Sequence, residues 1–271
     1  PGTMTNQAAG DLVYSSVLPD QSFLTGVNSA YNFIDLDGSD EYIDCGDILD
    51  IGTSNFSFSF WANQDSQATA YIIDKRGGSG AGYQIVYDGT SGVISTHFND
   101  GGSNTFGLDG GTDVSDTNWH HIVVVIDRSS STNCKIYVNG SDDTDSRGTI
   151  FTASISNSED LNIGRRNDNS NYFNGKIGQV AFYNKALSAT EVGAIYTLGR
   201  HANLLDKYSD NLLGYWAMSA LDASTGLSDV GNGTIYDRSG QSNHGTGTNT
   251  ESSDLASSPN ADPNGYAKGD T

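Results

Sequence analysis

The sequence predicts an all-β fold in which two antiparallel sheets pack as a sandwich, with one short helix near residues 188–198. Two neighbouring runs carry this prediction. Residues 119–125 (WHHIVVV) are β-branched behind a tryptophan, and residues 135–140 (KIYVNG) alternate and end in Asn-Gly. Asn-Gly after an alternating run is a strong hairpin signal. The 271 residues include 33 glycines and 4 prolines, which favours short strands joined by tight turns.

Segments of strand character follow one another from residue 31 onward, as in a sandwich. In residues 56–61 (FSFSFW), alternation directs the phenylalanines to one face and the serines to the other. A polar arm at 1–30 precedes the strands, and a polar tail at 247–271 follows them. The predicted strands are residues 41–45, 56–61, 71–75, 83–87, 92–98, 119–125, 135–139, 150–155, 161–164, 173–183, 212–216 and 234–237.

The predicted helix begins at a capping box. Ser188 and Glu191 have the spacing at which the serine oxygen accepts a free backbone N–H and the glutamate reaches back to the cap. Val192 and Ile195 give the helix an apolar face, and Gly199 can end it in a left-handed conformation.

The charge balance argues against nucleic acid as a partner. The chain has 33 acidic and 13 basic residues, a formal charge of -20, and such a surface repels phosphate backbones. No apolar run approaches the ~20 residues that a membrane span needs.

The chain has two cysteines, too few for a disulfide scaffold. Cys45 and Cys134 are expected as buried free thiols, with a disulfide as the alternative.

Four stretches, taken in order, resemble the laminin-G-like, concanavalin-A-like family of jelly rolls. They are residues 36–43, 56–61, 119–140 and 173–191. The resemblance implies a jelly roll over residues 31–200. Leu36 stands where the family usually has Phe, which is a tolerable exchange in a core.

Residues 201–246 do not fit the order of such a domain. The segment 212–246 looks like the opening of one, yet it follows the helix that should close it. Its strands either complete the same sandwich in a permuted order or pack on a neighbouring subunit. Completion within the chain is favoured, because exposed edge strands invite aggregation.

Calcium is the ligand that the resemblance suggests, held by side-chain and backbone oxygens. The first candidates are Asp237 and Asn243 around an Asp-x-Ser-Gly turn, and the second is Asp168 in the loop after Arg165. The alternative is that these residues simply form turns, their commonest use. Tyr83 and Tyr172 flank Gly- and Asn-rich loops and could stack on sugar rings.

Catalytic interpretations find little support. His120 and His121 are adjacent on a strand and so point to opposite faces, which prevents them from holding one ion easily. A glycosidase of this fold would carry acidic residues alternating on one strand. The chain has no Glu-x-Asp-x-Glu run, and the odd spacing of Glu41 and Asp44 separates them.

The sequence therefore predicts a non-enzymatic, surface-exposed structural or binding protein that works outside the cytoplasm or on the surface of a virion. The first hypothesis is a virion component, such as a phage decoration or fibre protein, whose partners are copies of itself or other particle subunits. The second is a secreted carbohydrate-binding or adhesion module that binds glycans. A glycoside hydrolase is a weak third.

Overall fold

The computed structural model describes residues 33–78, 80–218 and 233–250. Within them all strand pairing is antiparallel and forms two sheets that face each other, so the predicted all-β jelly roll is confirmed. The predicted arm at 1–30 and residues 251–271 of the tail lie outside the described residues. Neither described helix is long and apolar enough to span a membrane.

The smaller described sheet has seven strands, with β13, β3 and β8 at its centre. β14 (Leu212–Trp216) is added to it beside β13. The other members, in spatial order, are β1 (Ile34–Asp37), β13 (Asn174–Tyr183), β3 (Phe56–Gln64), β8 (His120–Ile126), β9 (Lys135–Val138) and β10 (Ser141–Asp142).

The larger sheet has nine strands and ends in strands from the last part of the described chain. In spatial order it contains β11 (Thr144–Arg147), β7 (Thr105–Gly110), β6 (Ile94–Asp100), β5 (Ala81–Tyr87), β4 (Ala70–Arg76), β12 (Asn162–Ile163), β2 (Tyr42–Asp44), β16 (Gly245–Thr248) and β15 (Thr234–Ile235).

The hairpin between β9 and β10 turns at the predicted Asn-Gly pair. Asn139 and Gly140 have φ angles of 50° and 79°. Positive φ at both central residues is what a type I′ turn requires, and Asn and Gly tolerate it best. This local prediction is confirmed.

The main core lies between the sheets and is rich in aromatic side chains. Phe56, Phe58 and Phe60 of β3 all point into it, as the alternation predicted. The ring of Phe58 lies 4.6 Å from that of Phe182 on the neighbouring strand β13. Burying such large side chains is the dominant favourable contribution to folding.

A second apolar cluster lies on the outer face of the seven-stranded sheet, beneath α1 (Ala189–Leu198) and the segment that contains α2 (Leu205–Tyr208). Val123 and Val125 of β8 contact this layer. Ser57 and Ser59 face it as well, and they are buried instead of facing solvent. Ser57 Oγ donates to Lys185 O at 2.8 Å, which fixes the chain just before the helix.

The helix begins as predicted. Ser188 Oγ accepts the backbone N–H of Glu191, and the Glu191 carboxylate accepts the backbone N–H of Ser188 at 2.9 Å. At the other end Gly199 has a φ of 79°, but its ψ of 169° is extended and not left-handed helical. The glycine is still needed, because φ is positive.

The strands of the 201–246 segment pair within the chain and reach both sheets. β14 pairs with β13 of the smaller sheet, and β16 pairs with β2 of the larger sheet. β16 runs to Thr248, two residues into the predicted tail.

The predicted strand at 150–155 does not form. The segment is irregular, and its free carbonyls are bound by the buried Arg128 guanidinium. The Nε and Nη2 atoms of Arg128 donate to Phe151 O, and Nη2 also donates to Ala153 O at 2.5 Å. A side chain thus supplies the donors that a neighbouring strand would otherwise provide.

Both cysteines are buried free thiols. Burial raises the pKa of the Cys134 thiol to about 11, and that of Cys45 above its ordinary range. Both are therefore neutral and unreactive at physiological pH.

The capping box gives a direct test of the helix layer. We expect Ser188→Ala to lower the free energy of unfolding by about 1 kcal/mol, because the Glu191 N–H loses its acceptor. Urea unfolding measures this. Thr190→Ala, at an exposed position in the first turn of the same helix, should be neutral or slightly stabilising. Equal losses in the two variants would contradict the assigned role of the cap.

Candidate functional site

A row of polar side chains crosses the outer face of the nine-stranded sheet. Strand register aligns Asp44, Asn162, Asp74, Gln84 and His97 on five neighbouring strands. On four of these strands one neighbour of the polar residue is an isoleucine of the core: Ile43, Ile163, Ile73 or Ile85. Because strand side chains alternate between faces, burying the isoleucines directs the polar row outward.

The 165–172 loop, between β12 and β13, folds over this row. Asn167 N donates to Asp74 Oδ2 at 2.8 Å, and Tyr71 N donates to Asn171 O at 3.1 Å. Asn169 and Asn171 have φ angles of 62° and 50°, a conformation that asparagine tolerates better than most residues. The loop is therefore held on the sheet by backbone hydrogen bonds.

The loop leaves its strand at a position that only glycine fits. Gly164 has a φ of 93°, and a Cβ there would lie 2.5 Å from Leu36 Cδ1. Its N–H donates to Ile72 O at 3.0 Å, and its carbonyl accepts from Phe173 N at 2.8 Å. Both ends of the loop are thus tied together next to β4.

Asp74 is the anchor of this arrangement and is fully buried. Its Oδ1 accepts the N–H of Arg76 at 2.9 Å, and its Oδ2 accepts that of Asn167. Burial raises its pKa to about 7, although these N–H groups, the neighbouring Gln84 amide and the Arg166 charge act in the opposite direction. Gln84 Nε2 itself makes no hydrogen bond of normal geometry among the described residues.

Tyrosine rings and guanidinium groups alternate across the same face. The Arg165 guanidinium lies 3.5 Å from the ring centroid of Tyr42, and that of Arg166 lies 5.5 Å from the ring centroid of Tyr71. The Tyr42 and Tyr172 rings are 6.4 Å apart and tilted by 58°. All five side chains are partly exposed, so the surface offers both ring faces and N–H donors.

Amide groups complete this surface. Arg165 Nη1 donates to Asn169 Oδ1, and its Nε lies 3.4 Å from Asn162 Oδ1. Asn162 Nδ2 in turn donates to Asn167 Oδ1. These contacts hold the guanidinium in place through neutral groups. We call Tyr42, Tyr172, Arg165, Arg166 and the 165–172 loop the loop surface.

The structure separates the two tyrosines predicted to contact sugars. Tyr172 lies on the loop surface. Tyr83 is a core residue: it is 2% exposed, its ring packs 5.5 Å from that of Phe58, and its hydroxyl donates to Leu49 O at 3.2 Å. The prediction for Tyr83 is corrected on this ground, because no ring face is open to a ligand.

Asp237 and Asn243 are brought together, but both carboxylate oxygens of Asp237 already accept hydrogen bonds. Asp237 Oδ1 accepts the N–H groups of Tyr215 and Ser239, and its Oδ2 accepts the Ser239 hydroxyl and the Asn243 N–H, all at 2.8–2.9 Å. Asn243 Nδ2 donates to Leu213 O. The pair therefore fixes a turn to β14.

The third metal candidate lies beside a cation. Asp168 Oδ2 is 2.9 Å from Arg166 Nη1. Ca²⁺ takes six to eight oxygen ligands, and neither Asp237 with Asn243 nor Asp168 fits such a site in this structure. In the described part of the chain, no three His, Cys, Asp or Glu side chains are grouped to hold a metal ion.

The two histidines face opposite sides of β8, as predicted. His120 Nε2 lies 2.8 Å from Asp116 Oδ1. His121 is fully buried beneath the helix layer, 2.9 Å from Ser59 Oγ, and burial lowers its pKa to about 3. The contacts of both histidines are those of structural residues.

A family match decides the classification of this fold. The sequence model of the concanavalin A-like lectin/glucanases superfamily, of laminin-G type, matches residues 37–193. The chain belongs to this superfamily. The match spans the sandwich from β1 into α1 and includes the loop surface. No curated protein sequence matches the chain.

Solved structures share the superfamily fold at low identity. A "putative carbohydrate binding protein" from Bacteroides ovatus superposes with a TM-score of 0.58 and 18% identity over 80% of this chain and 58% of that one. A heptameric pentraxin from Limulus polyphemus gives 0.48 and 12%, over 63% and 83%. The binding domain of Botulinum neurotoxin DC gives 0.41 and 15%, over 54% and 35%. Such likenesses concern the fold alone.

Asp74 should make stability depend on pH. Because its pKa is raised to about 7, the native protein retains a proton that the unfolded chain releases above pH ~4. Its contribution to stability is thus full below that pH and is lost as pH rises to about 7, with a slope of at most about 1.4 kcal/mol per pH unit. Urea unfolding across this range measures the slope.

Asp74→Asn should remove that slope, because the amide does not titrate. Asn162→Ser, a buried and non-titrating change on the same face, should shift the stability equally at every pH. An unchanged slope in Asp74→Asn would show that another group titrates.

The role of Asp237 can be tested with and without calcium. We expect Asp237→Asn to lower the free energy of unfolding by about 2 kcal/mol, because an amide NH₂ would face N–H donors. The loss should be the same in EDTA and in CaCl₂. Asp168→Asn, which breaks an exposed ion pair, should change stability by less than about 1 kcal/mol. Stabilisation of the parent protein by Ca²⁺ that Asp237→Asn abolishes would restore the calcium interpretation.

Proposed function

We propose that this protein is a non-catalytic, surface-exposed glycan-binding module, and that the loop surface is its binding site. The observation that carries the proposal is the pair of tilted, half-exposed rings of Tyr42 and Tyr172 beside an amide-rich loop. Superfamily membership and the carbohydrate-binding description of the Bacteroides structure agree with it.

The chemistry of the loop surface suits a saccharide. A sugar ring has an apolar C–H face and a rim of hydroxyl groups, so its binding needs a flat apolar surface next to donors and acceptors. Tyrosine rings supply the former. The exposed Asn169 amide and the Arg165 guanidinium supply donors and acceptors.

Preorganisation supports affinity at such a shallow site. The 165–172 loop is fixed by Asp74 and by backbone hydrogen bonds to β4 before any ligand arrives. A ligand therefore does not have to order the loop, and the entropic cost of binding is reduced.

The surroundings of Asp74 argue against hydrolysis. A glycosidase needs two carboxyl groups that flank and touch the glycosidic bond. Asp74 has the raised pKa of a general acid, but it is fully buried under the loop, and both its oxygens accept backbone N–H groups. It acts as an anchor and has no route to a substrate.

The virion hypothesis loses one of its two motivations. It rested partly on strands of the 201–246 segment gripping a neighbouring subunit, whereas β14 and β16 pair within the chain. The other motivation, the arm at 1–30, lies outside the described residues. We therefore place the glycan-binding proposal first and infer an extracellular or particle-surface location from it.

Tyrosine substitutions test the proposal on a glycan array, followed by calorimetry with any glycan that binds. We expect Tyr42→Ala and Tyr172→Ala each to lower affinity at least about tenfold, since each removes a stacking face. Tyr208→Ala, a half-buried tyrosine on α2 across the sandwich, is the matched control. Affinity lost equally in Tyr208→Ala, or retained in both site variants, would place the site elsewhere.

A further inference from the structure

The loop surface is a local exception to the charge of the chain. The protein carries 33 acidic and 13 basic residues. Even so, Arg76 and Arg166 adjoin Asp74, and Arg165 lies beside Asn162, the neighbour of Asp74 in the polar row. Arg166 alone among these three forms an ion pair with a described carboxylate. Because acidic residues are so numerous, the lack of a carboxylate partner for Arg76 and Arg165 among the described residues needs a physical explanation.

Arg165 is held for contact and is not a freely solvated side chain. Its guanidinium lies against the Tyr42 ring, and its described hydrogen bonds go to the neutral amides of Asn162 and Asn169. These contacts fix the plane of the group without neutralising it. A fixed guanidinium edge is suited to a carboxylate or sulfate, which it can bind through two parallel N–H groups.

Arg166, the next residue along the chain, has an N–H donor that makes no hydrogen bond within the described residues. Its Nε is buried and has no hydrogen-bond partner among the described residues. Its ion pair with Asp168 is half exposed, with the side chains 30% and 44% accessible. Such pairs contribute little stability, so an incoming anion can share or displace Asp168 at small cost.

The carboxyl beneath the loop cancels this charge only in part at neutral pH. Burial favours the neutral form of Asp74 and raises its pKa to about 7. Arg76 is satisfied by Gly80 O and Gln84 Oε1, which are uncharged. The loop surface thus concentrates arginines, beside the carboxylates of Asp44 and Asp168, on a strongly anionic protein. The overall field of the protein repels anions, so only local contacts can hold one here.

We infer that the glycan bound at the loop surface is acidic, with its carboxylate or sulfate bound by Arg165 and Arg166 and its ring packed on Tyr42 or Tyr172. This inference rests on the proposed function and gives the chemical class of its ligand. A neutral sugar would need stacking and amides but would leave the Arg165 guanidinium without a counter-charge and that of Arg166 with Asp168 alone.

Matched pairs of probes test the charge requirement. Trigalacturonic acid and its methyl ester share one backbone, and so do 3′-sialyllactose and lactose. For at least one pair we expect the acidic member to bind at least tenfold more tightly than the neutral one. The affinity should fall as NaCl is raised from 50 to 500 mM, since salt screens exposed charges.

Charge-removing variants locate the contact. Arg165→Gln and Arg166→Gln should each lower affinity for the acidic probe at least tenfold while leaving the melting temperature within a few degrees of the parent. Arg165→Lys keeps the charge but loses the planar fork, and it should recover only part of the loss. Arg147→Gln, an exposed arginine on β11 at the far edge of the same sheet, should have no effect.

The outcomes separate this inference from the proposed function. Equal binding of acidic and neutral members, reduced by Tyr172→Ala, overturns the inference and leaves glycan binding intact. Acidic binding that survives both Arg→Gln changes also overturns it, because the anion then binds elsewhere. Absence of binding to every glycan on the array overturns both.

Discussion

Phe58 of β3 and Phe182 of β13 pack 4.6 Å apart between the sheets, and burial of this aromatic layer sets the orientation of the strands around it. Side chains alternate along a regular strand, so a residue next to a core position faces outward unless a bulge intervenes. The polar row across the nine-stranded sheet is a direct consequence. A shift of one residue in β4 or β5 would move Asp74 or Gln84 into the apolar core, at a high cost in desolvation.

The outer faces of the two sheets are covered in different ways. On the seven-stranded sheet, valines and small residues face outward and are covered by α1 and the chain that follows it. On the nine-stranded sheet the outward residues are polar, and a loop that is itself polar covers part of the row. The first face is therefore sealed by apolar packing, and the second retains hydrogen-bonding groups at its surface. This asymmetry places the candidate site.

Local signals in the sequence were sufficient where one short segment determines the structure. The Asn139-Gly140 turn, the Ser188 cap and the alternation of β3 all belong to this class. Tyr83 could also have been assigned correctly, since it is in phase with the core residue Ile85. The site around Asp74 could not be assigned from local sequence patterns. Tyr71 and Asp74 are three residues apart, which in a regular strand means opposite faces, but register shifts between Tyr71 and Ile73 and returns them to one face.

Asp74 illustrates why the candidate site depends on long-range structure. Its loop partner Asn167 is 93 positions away, and no local pattern joins them. An isolated carboxyl at this position would be unfavourable, because burial opposes its charge. The backbone N–H groups of Arg76 and Asn167 partly offset that penalty and in return gain an acceptor. The cost of burying the carboxyl is thus coupled to the ordering of the loop, which carries Arg165, Arg166 and Tyr172. The buried carboxyl thus lowers the free energy of unfolding at neutral pH, and the same carboxyl holds this surface rigid.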